Sequence, residues 1–119
     1  MSTLKIKRIY EPLEKSDGFR VLIDRLWPRG VKKETADIDL WLKEIAPSAA
    51  LRKWFQHMPS RWDEFSKKYK LELSDSEAVD TLIDNIKKHK RVTLLYGARD
   101  EIYNNAQVLL KFINDKLNH

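Results

Sequence analysis

Two apolar stretches, FRVLI at residues 19–23 and VTLLY at residues 92–96, decide the fold. Both are short, rich in β-branched residues and almost continuously apolar, which is typical of strands buried on both faces of a parallel sheet. Residues 4–10 alternate nearly regularly between apolar and basic side chains, as expected of a strand with one face in water. The three stretches therefore predict three strands, and those at residues 19–23 and 92–96 are the central ones.

The segment between the two central strands is predicted to be helical, because apolar side chains recur there at spacings of three and four residues. One such stripe is Ile38, Trp41, Leu42 and Ile45, and the next is Leu51, Trp54, Phe55 and Met58. Pro47 and Ser48 would end the first helix and cap the second, and Pro59 and Ser60 would end the second and cap a third.

Three more apolar stripes predict the remaining helices. They are Trp62, Phe65 and Tyr69; Val79, Leu82, Ile83 and Ile86; and Ile102, Ala106, Leu109, Leu110, Ile113 and Leu117. Ser74 and Glu77 have the spacing of a capping box ahead of the middle stripe. The last helix is predicted over residues 100–117, where Asp100 and Glu101 would interact favourably with the helix dipole.

Strands separated by helices predict parallel pairing through right-handed crossovers. The fold class is α/β: residues 1–119 form a single small domain without a linker, with a mostly parallel sheet of three to five strands and helices on both faces. A short fourth strand is expected among the loops. The 119 residues contain three Gly and four Pro, so no flexible linker interrupts the domain.

The composition excludes several classes of protein. The chain has no cysteine, which rules out disulfides, thiolate metal sites and any Cys nucleophile. No apolar run reaches the roughly 18 residues of a membrane span, and residues 1–10 lack the apolar block of a signal peptide. A cytoplasmic location is the default expectation.

The positive charge is concentrated at the beginning of the chain. Residues 1–33 hold nine Lys and Arg against four Asp and Glu, and therefore carry the whole net charge of +5. Such a segment could face a nucleic acid or another anion, or it could simply be a Lys-rich surface. A nucleic-acid interface would require Lys5, Lys7, Arg8, Lys32 and Lys33 to form one exposed stripe.

Two loops follow the central strands, at the edge where open α/β sheets bind their ligands. They are DRLWPRG at residues 24–30 and GARD at residues 97–100. Arg25, Arg29 and Arg99 present planar donor groups suited to phosphate or carboxylate. Asp24 or Asp100 could accept a proton as a catalytic general base. Alternatively, the carboxylates pair with the arginines and hold the loops, and Asp100 only caps a helix.

Three other side chains near these loops are candidates for ligand contacts. Trp27 could stack on a base or sugar, or it could be a core residue at the end of a strand. Asn104 and Asn105 are poor helix-interior residues, so one amide could reach the same pocket. His57 could exchange protons, or it could interact with the end of its helix.

The remaining signatures are negative. His57, His89 and His119 show no paired-ligand spacing, so no metal site is expected. The chain contains no GxGxxG, no GxxxxGK[ST] and no GxSxG, which argues against dinucleotide, P-loop and nucleophile-elbow sites. No cofactor is predicted.

Five ordered segments, DRLWPRG, WLKEIAPS, LRKWF, RWDEFSKKY and VTLLYGARD, resemble the YeaO-like family of small bacterial proteins, domain of unknown function 488. The resemblance extends from about residue 6 to residue 113 and implies a compact cytoplasmic α/β protein of unestablished activity. The family pattern commonly has histidines where this chain has Tyr103 and Asn105. If they are catalytic in relatives, this protein lacks that chemistry; if they only cap or pack, nothing is lost.

These observations predict a protein that binds a small anionic metabolite resembling a phosphate or nucleotide, and hydrolysis or transfer of that ligand is the catalytic option. The ligand would contact Arg25, Trp27, Arg29, Arg99 and Asn104, with Asp24 and Asp100 as the catalytic candidates. The alternative is a protein-interaction module with an exposed aromatic patch, or a nucleic-acid-binding module that uses the basic N-terminal third.

Overall fold

The computed structural model describes residues 3–118, and within them four parallel strands form one sheet. The strands are β1 (Thr3–Arg8), β2 (Phe19–Leu22), β3 (Leu40–Trp41) and β4 (Arg91–Tyr96). Their spatial order is β1-β4-β2-β3, with Ile6 opposite Leu94 and Val21 opposite both Leu94 and Leu40. The predicted α/β class with a parallel sheet is confirmed, and both stretches predicted to be central strands occupy the centre.

Five α-helices accompany the sheet over the same residues: α1 (Lys33–Ala36), α2 (Ala49–Phe55), α3 (Trp62–Ser74), α4 (Glu77–Lys88) and α5 (Asn105–Leu117). Short 3-10 turns lie at Lys15–Asp17, Lys43–Ile45 and Pro59–Arg61. Ser48 caps α2 as predicted, since its hydroxyl accepts the Leu51 N–H at 3.1 Å. No helix in residues 3–118 is long and apolar enough to cross a bilayer.

The helix predicted from the stripe at residues 38–45 is wrong. Leu40–Trp41 is strand β3, and a 3-10 turn follows it. Ile38 and Trp41 pack on one side of the sheet, whereas Leu42 and Ile45 join the core on the other side. The stripe therefore divides between two cores, and this segment supplies the expected short fourth strand.

Three helix starts also differ from prediction. Helix α3 begins at Trp62 after the 3-10 turn Pro59–Arg61, so its cap residue is Arg61 rather than Ser60. Ser76, not Ser74, caps α4 by accepting the Ala78 N–H at 3.2 Å, whereas the Ser74 hydroxyl donates to a carbonyl within α3. Helix α5 begins at Asn105 rather than at residue 100, because Asn104 is its cap and accepts the Gln107 N–H. Residues 100–104 thus form a turn ahead of the helix.

The two faces of the sheet are covered differently. Val21, Val92 and Leu94 face the main core, which the buried sides of α2, α3, α4 and α5 complete. On the opposite face, Leu22 and Leu95 pack beneath a loop, with Trp27, Val31, Ile38 and Trp41 around them. The short helix α1 lies on this second face, where the Ala36 carbonyl accepts a hydrogen bond from Arg20.

A buried ionic cluster occupies the second face near the amino end of β2. Asp17 is fully buried, and its carboxylate accepts hydrogen bonds from Lys7 at 3.1 Å and from Arg20, with Lys5 at 3.2 Å. The Thr93 hydroxyl donates to the Asp17 carbonyl at 2.7 Å. Lys7 therefore lies inside the protein rather than on an exposed basic stripe.

Candidate functional site

The candidate site lies where β2 and β4 end side by side. The chain leaves β2 towards β3 and leaves β4 towards α5, which packs beside β1. Such a divergence of neighbouring loops opens a crevice beyond the carboxyl ends of parallel strands. The Gly97 N–H donates to Asp24 Oδ2 at 2.8 Å, and this bond ties the two loops together. The edge predicted from the sequence is therefore the edge at which a cavity opens.

The cavity has a volume of about 250 Å³. Its wall combines charged and amide side chains with aromatic rings and small apolar residues. The lining residues are Asp24, Arg25, Leu26, Ala46, Pro47, Arg52, Phe55, His57, Phe65, Ala98 and Asn105. Ligand pockets for drug-sized molecules usually occupy ~300–1,000 Å³, so a phosphate or carboxylate with a short substituent would fill this cavity.

Arg25 is the half-buried cation of the wall. One terminal nitrogen, Nη2, donates to the Ala46 carbonyl at 3.4 Å, which is a long contact. The Nε atom is buried and has no hydrogen-bond partner within residues 3–118. A buried N–H without an acceptor is costly, by about 1–3 kcal/mol. The guanidinium is thus held at the cavity with donor capacity that the protein does not use.

Asp24 is the carboxylate of the wall, and burial raises its pKa above the ordinary value. The Gly97 N–H, a side-chain hydrogen bond from Asn105 and the positive charge of Arg52 oppose this rise without cancelling it. Its backbone carbonyl accepts the Trp41 Nε1–H at 2.8 Å, which fixes the main chain. The carboxyl group is therefore held in one orientation by hydrogen bonds, and its negative charge is less favourable there than in water.

Helix α2 brings Arg52 and Phe55 to the cavity. Arg52 is exposed, and within the described residues its guanidinium makes no hydrogen bond, so it interacts with Asp24 only through charge. The helix ends where Gln56 and His57 adopt φ angles of 48° and 54°. Two consecutive left-handed residues that are not glycine are unusual, and they turn the chain so that His57 lines the cavity.

Four of the five predicted ligand contacts lie outside this lining, and two of them, Trp27 and Arg29, belong to the loop after β2. The Trp27 ring packs edge-on against Trp41 at 5.4 Å, and its Nε1–H donates to the Val31 carbonyl at 2.6 Å. This geometry matches the core alternative stated for Trp27. Arg29 is exposed, and its backbone carbonyl accepts a hydrogen bond from Tyr10. The structure does not bring either side chain to the cavity.

The loop after β4 contributes Ala98 but not its charged residues to the lining. Arg99 is exposed, and Asp100 Oδ1 accepts the N–H groups of Ile102 and Tyr103 at 2.9 Å. These bonds lower the pKa of Asp100 below its ordinary value. Asn104 is buried as the cap of α5, and its amide donates to the Asp100 carbonyl at 2.8 Å. Asp100 and Asn104 therefore shape the turn.

Arg52 and the aromatic residues of the wall, Phe55 and Phe65, were not predicted from the sequence to line a site. Arg52 comes from a helix far from both strand ends in sequence, so no local pattern connects it with Arg25. Asn105 was indicated by the sequence, because two adjacent asparagines near the start of the last helix predicted that one amide would reach the pocket. The structure selects Asn105 and leaves Asn104 as the cap. Tyr103, the other position where the family resemblance places a histidine, packs edge-on against Trp62.

A metal centre has no ligand set in the described part of the chain, because no group of three His, Asp or Glu side chains converges there. His57 lies at the cavity, and His89 stacks on Phe19 at 4.1 Å near the opposite end of the sheet. His119, the third histidine of the sequence, lies outside the described residues.

Comparisons with known proteins give a consistent set of relatives. Residues 3–119 match the family DUF488-N3i, described as the inactive DUF488-N3 subclade. The chain is 42% identical over 110 residues to the uncharacterized protein YeaO of Escherichia coli (strain K12), covering 92% of this chain and 96% of that protein. It is 37% identical over 113 residues to the uncharacterized protein Rv3073c of Mycobacterium tuberculosis (strain ATCC 25618 / H37Rv), covering 95% of each. No solved structure matches.

Proposed function

Because the chain belongs to the DUF488-N3i family, described as the inactive DUF488-N3 subclade, we propose that it binds a small anionic metabolite without transforming it. The sequence resemblance to the YeaO-like family is confirmed, and its relatives are uncharacterized. The ligand class therefore has to be argued from the cavity at the ends of β2 and β4.

The unpartnered, buried Nε of Arg25 carries the proposal. A phosphate or carboxylate oxygen is the acceptor that best matches a guanidinium, because charge-assisted hydrogen bonds are stronger than neutral ones. Arg52 adds a second guanidinium that is free of hydrogen bonds within the described residues, against one carboxylate, Asp24. An anion bound to the Arg25 guanidinium would balance the excess positive charge.

The rest of the wall limits the remainder of the ligand. Phe55 and Phe65 stack on each other at 4.2 Å, and both line the cavity as apolar wall residues. A phosphorylated compound with a small ring, such as a nucleotide-like metabolite, would place the phosphate near Arg25 and the ring near Phe55. The volume of about 250 Å³ leaves a larger substituent outside the mouth.

Hydrolysis or transfer with Asp24 as general base is the catalytic alternative in the same cavity. The raised pKa of Asp24 would suit a base. Against it stand the description of the subclade as inactive and the asparagine at position 105, where the family pattern commonly has a histidine. Binding without chemistry is consistent with both observations.

Amide NMR titrations of the whole chain with inorganic phosphate, phenyl phosphate and a nucleoside 5′-monophosphate test the proposal. We expect saturable shifts at residues 24–26, 52–57 and 97–105. Arg25→Gln and Arg52→Gln should each weaken binding by about tenfold or more, because each removes a charge-assisted hydrogen bond.

Arg29→Gln is the matched control, since it removes the same charge from an exposed position outside the cavity and should bind as the unmodified protein does. Arg25→Lys keeps the charge and shows whether loss of binding follows from loss of the fold. Equal affinities in all four variants, or the absence of saturable shifts with every anion, would refute the proposed site.

A further inference from the structure

A second concave surface lies between helices α3 and α5, away from the Arg25 cavity. It is an open groove with a volume of about 900 Å³. We define the α3/α5 groove by Trp62, Ile102, Leu110, Lys67, Lys70 and Lys111. Both helices have 13 residues, so the groove is up to about 20 Å long at 1.5 Å per residue. A helix of four turns has a similar length.

The apolar part of the α3/α5 groove is open to water. Ile102 is 68% exposed, and it lies beside Trp62 and Leu110, which are both half-buried. The Trp62 ring is held in place by its edge-on contact with Tyr103 at 5.4 Å. An exposed isoleucine next to a fixed indole offers a preformed apolar surface to a partner.

Three lysines border this apolar surface. Within residues 3–118, none of Lys67, Lys70 and Lys111 pairs with a carboxylate. By contrast, Lys68 on α3 pairs with Glu64 at 2.9 Å and does not line the groove. The lining thus has three unpaired cations and one acid, Asp63, which leaves it strongly positive.

We propose that the α3/α5 groove binds an acidic amphipathic helix of a partner protein. Apolar residues of that helix at positions i, i+3 or i+4, and i+7 would cover Ile102 and Trp62, as in other complexes of a helix in a groove. Glu or Asp residues on its flanks would pair with the three lysines. Charge complementarity then determines which helices bind, and the covered apolar surface supplies affinity.

A synthetic peptide of about 15 residues tests this proposal, with leucines at helical spacing and glutamates on both flanks. Titrated into the whole protein, it should shift the amides of α3 and α5 and leave those of residues 24–26 unchanged. Binding should weaken as salt is added, because the exposed ion pairs are screened.

Charge reversal provides the decisive comparison. Lys67→Glu with Lys111→Glu should weaken binding of the acidic peptide at least about tenfold, and should create binding of a peptide with lysine in place of glutamate. Lys53→Glu with Lys87→Glu is the matched control, because it changes the net charge equally at exposed positions on α2 and α4.

Four results would overturn the proposal. The acidic peptide could give no saturable shifts, it could bind the reversed and control variants equally, or its shifts could lie outside α3 and α5. A concentration-dependent dimer that Lys67→Glu with Lys111→Glu dissociates would also overturn it, because the occupant would then be a second copy of this chain. Analytical ultracentrifugation of the protein without peptide detects that dimer.

Discussion

Asp17 and Asp24 lie just before and just after β2, and their surroundings move their pKa values in opposite directions. At Asp17, burial alone would raise the pKa, but a backbone N–H and the charges of Lys7 and Lys5 outweigh burial and hold it at about 2. At Asp24, burial outweighs the Gly97 N–H, Asn105 and Arg52, so the pKa is raised. The same residue type is therefore stabilised in its charged form at one end of the strand and destabilised at the other.

The difference follows from whether the N–H donors of the neighbouring cations all have acceptors in the protein. Around Asp17, Lys7 bonds to both carboxylate oxygens and to Glu14, and Arg20 donates to Asp17 and to the carbonyls of Ala36 and Asp37. Around Asp24, the Arg25 Nε has no acceptor among the described residues. A cluster that satisfies its own groups stabilises the fold, whereas a cluster with a free donor can bind a ligand.

The largest expected effect tests the Asp17 side of this comparison. Asp17→Asn leaves Lys7 and Arg20, which are 7% and 4% exposed, without their shared carboxylate. Breaking a buried ion pair by removing one partner typically costs about 3–5 kcal/mol. We expect a loss of that size in the free energy of unfolding, measured by urea denaturation near neutral pH.

Asp84→Asn is the control, because Asp84 is exposed and makes no hydrogen bond or ion pair within residues 3–118. Its free energy of unfolding should change by less than about 0.5 kcal/mol. If Asp17→Asn changed the free energy of unfolding as little as Asp84→Asn, the ion pairs of Asp17 would not stabilise the fold. The contrast drawn with Asp24 would then be wrong.

The sequence predicted a strand correctly only where the apolar pattern of that strand's own residues indicated it. The apolar runs at residues 19–23 and 92–96 predicted the central strands because burial on both faces leaves a continuous apolar pattern. Strand β3 has two residues and exists through its pairing with β2. No pattern within residues 38–45 shows that pairing, so a helical spacing was the better local match.

For the candidate site, the sequence predicted the location but not all of the side chains. The rule that ligands bind at strand ends placed Asp24, Arg25 and the loop after β4 at one edge, and the structure places them there. The rule does not say which side chains turn inwards. Arg52 comes from α2, and Arg29 and Arg99 remain exposed, because the path of each loop depends on contacts distant in sequence.

The acid dependence of stability should also separate the two carboxylates. A lowered folded-state pKa contributes stability that is complete above the unfolded value near ~3.9 and disappears as the pH falls through the folded value. For Asp17 this window runs from about pH 4 to about pH 2. The difference in unfolding free energy between the unmodified protein and Asp17→Asn should shrink by about 2 kcal/mol across it.

Denaturant midpoints at several pH values in that window measure the effect, and the comparison with Asp17→Asn cancels the titration of the other carboxylates. A constant difference across the window would show that the folded-state pKa of Asp17 is near its ordinary value. Asp24 has the opposite sign, because its raised pKa means that protonation favours the folded state.

The smallest expected effect concerns binding at Asp24. The negative charge of Asp24 lies in the same cavity as Arg25 and Arg52, so it opposes an anion that those arginines attract. Asp24→Asn removes that charge while an amide oxygen can still accept the Gly97 N–H, and it should strengthen anion binding about tenfold at neutral pH. Sulfate is the suitable probe, because its charge stays constant over the pH range in which Asp24 titrates.

The pH profile of sulfate binding then identifies the group responsible. In the unmodified protein, affinity should rise as the pH falls through the raised pKa of Asp24, because the carboxyl becomes neutral. In Asp24→Asn that rise should be absent, whereas His57→Gln, which changes a different side chain of the lining, should keep it. If Asp24→Asn weakens binding instead, the carboxylate orients the ligand directly, and the free donor of Arg25 is only part of the recognition.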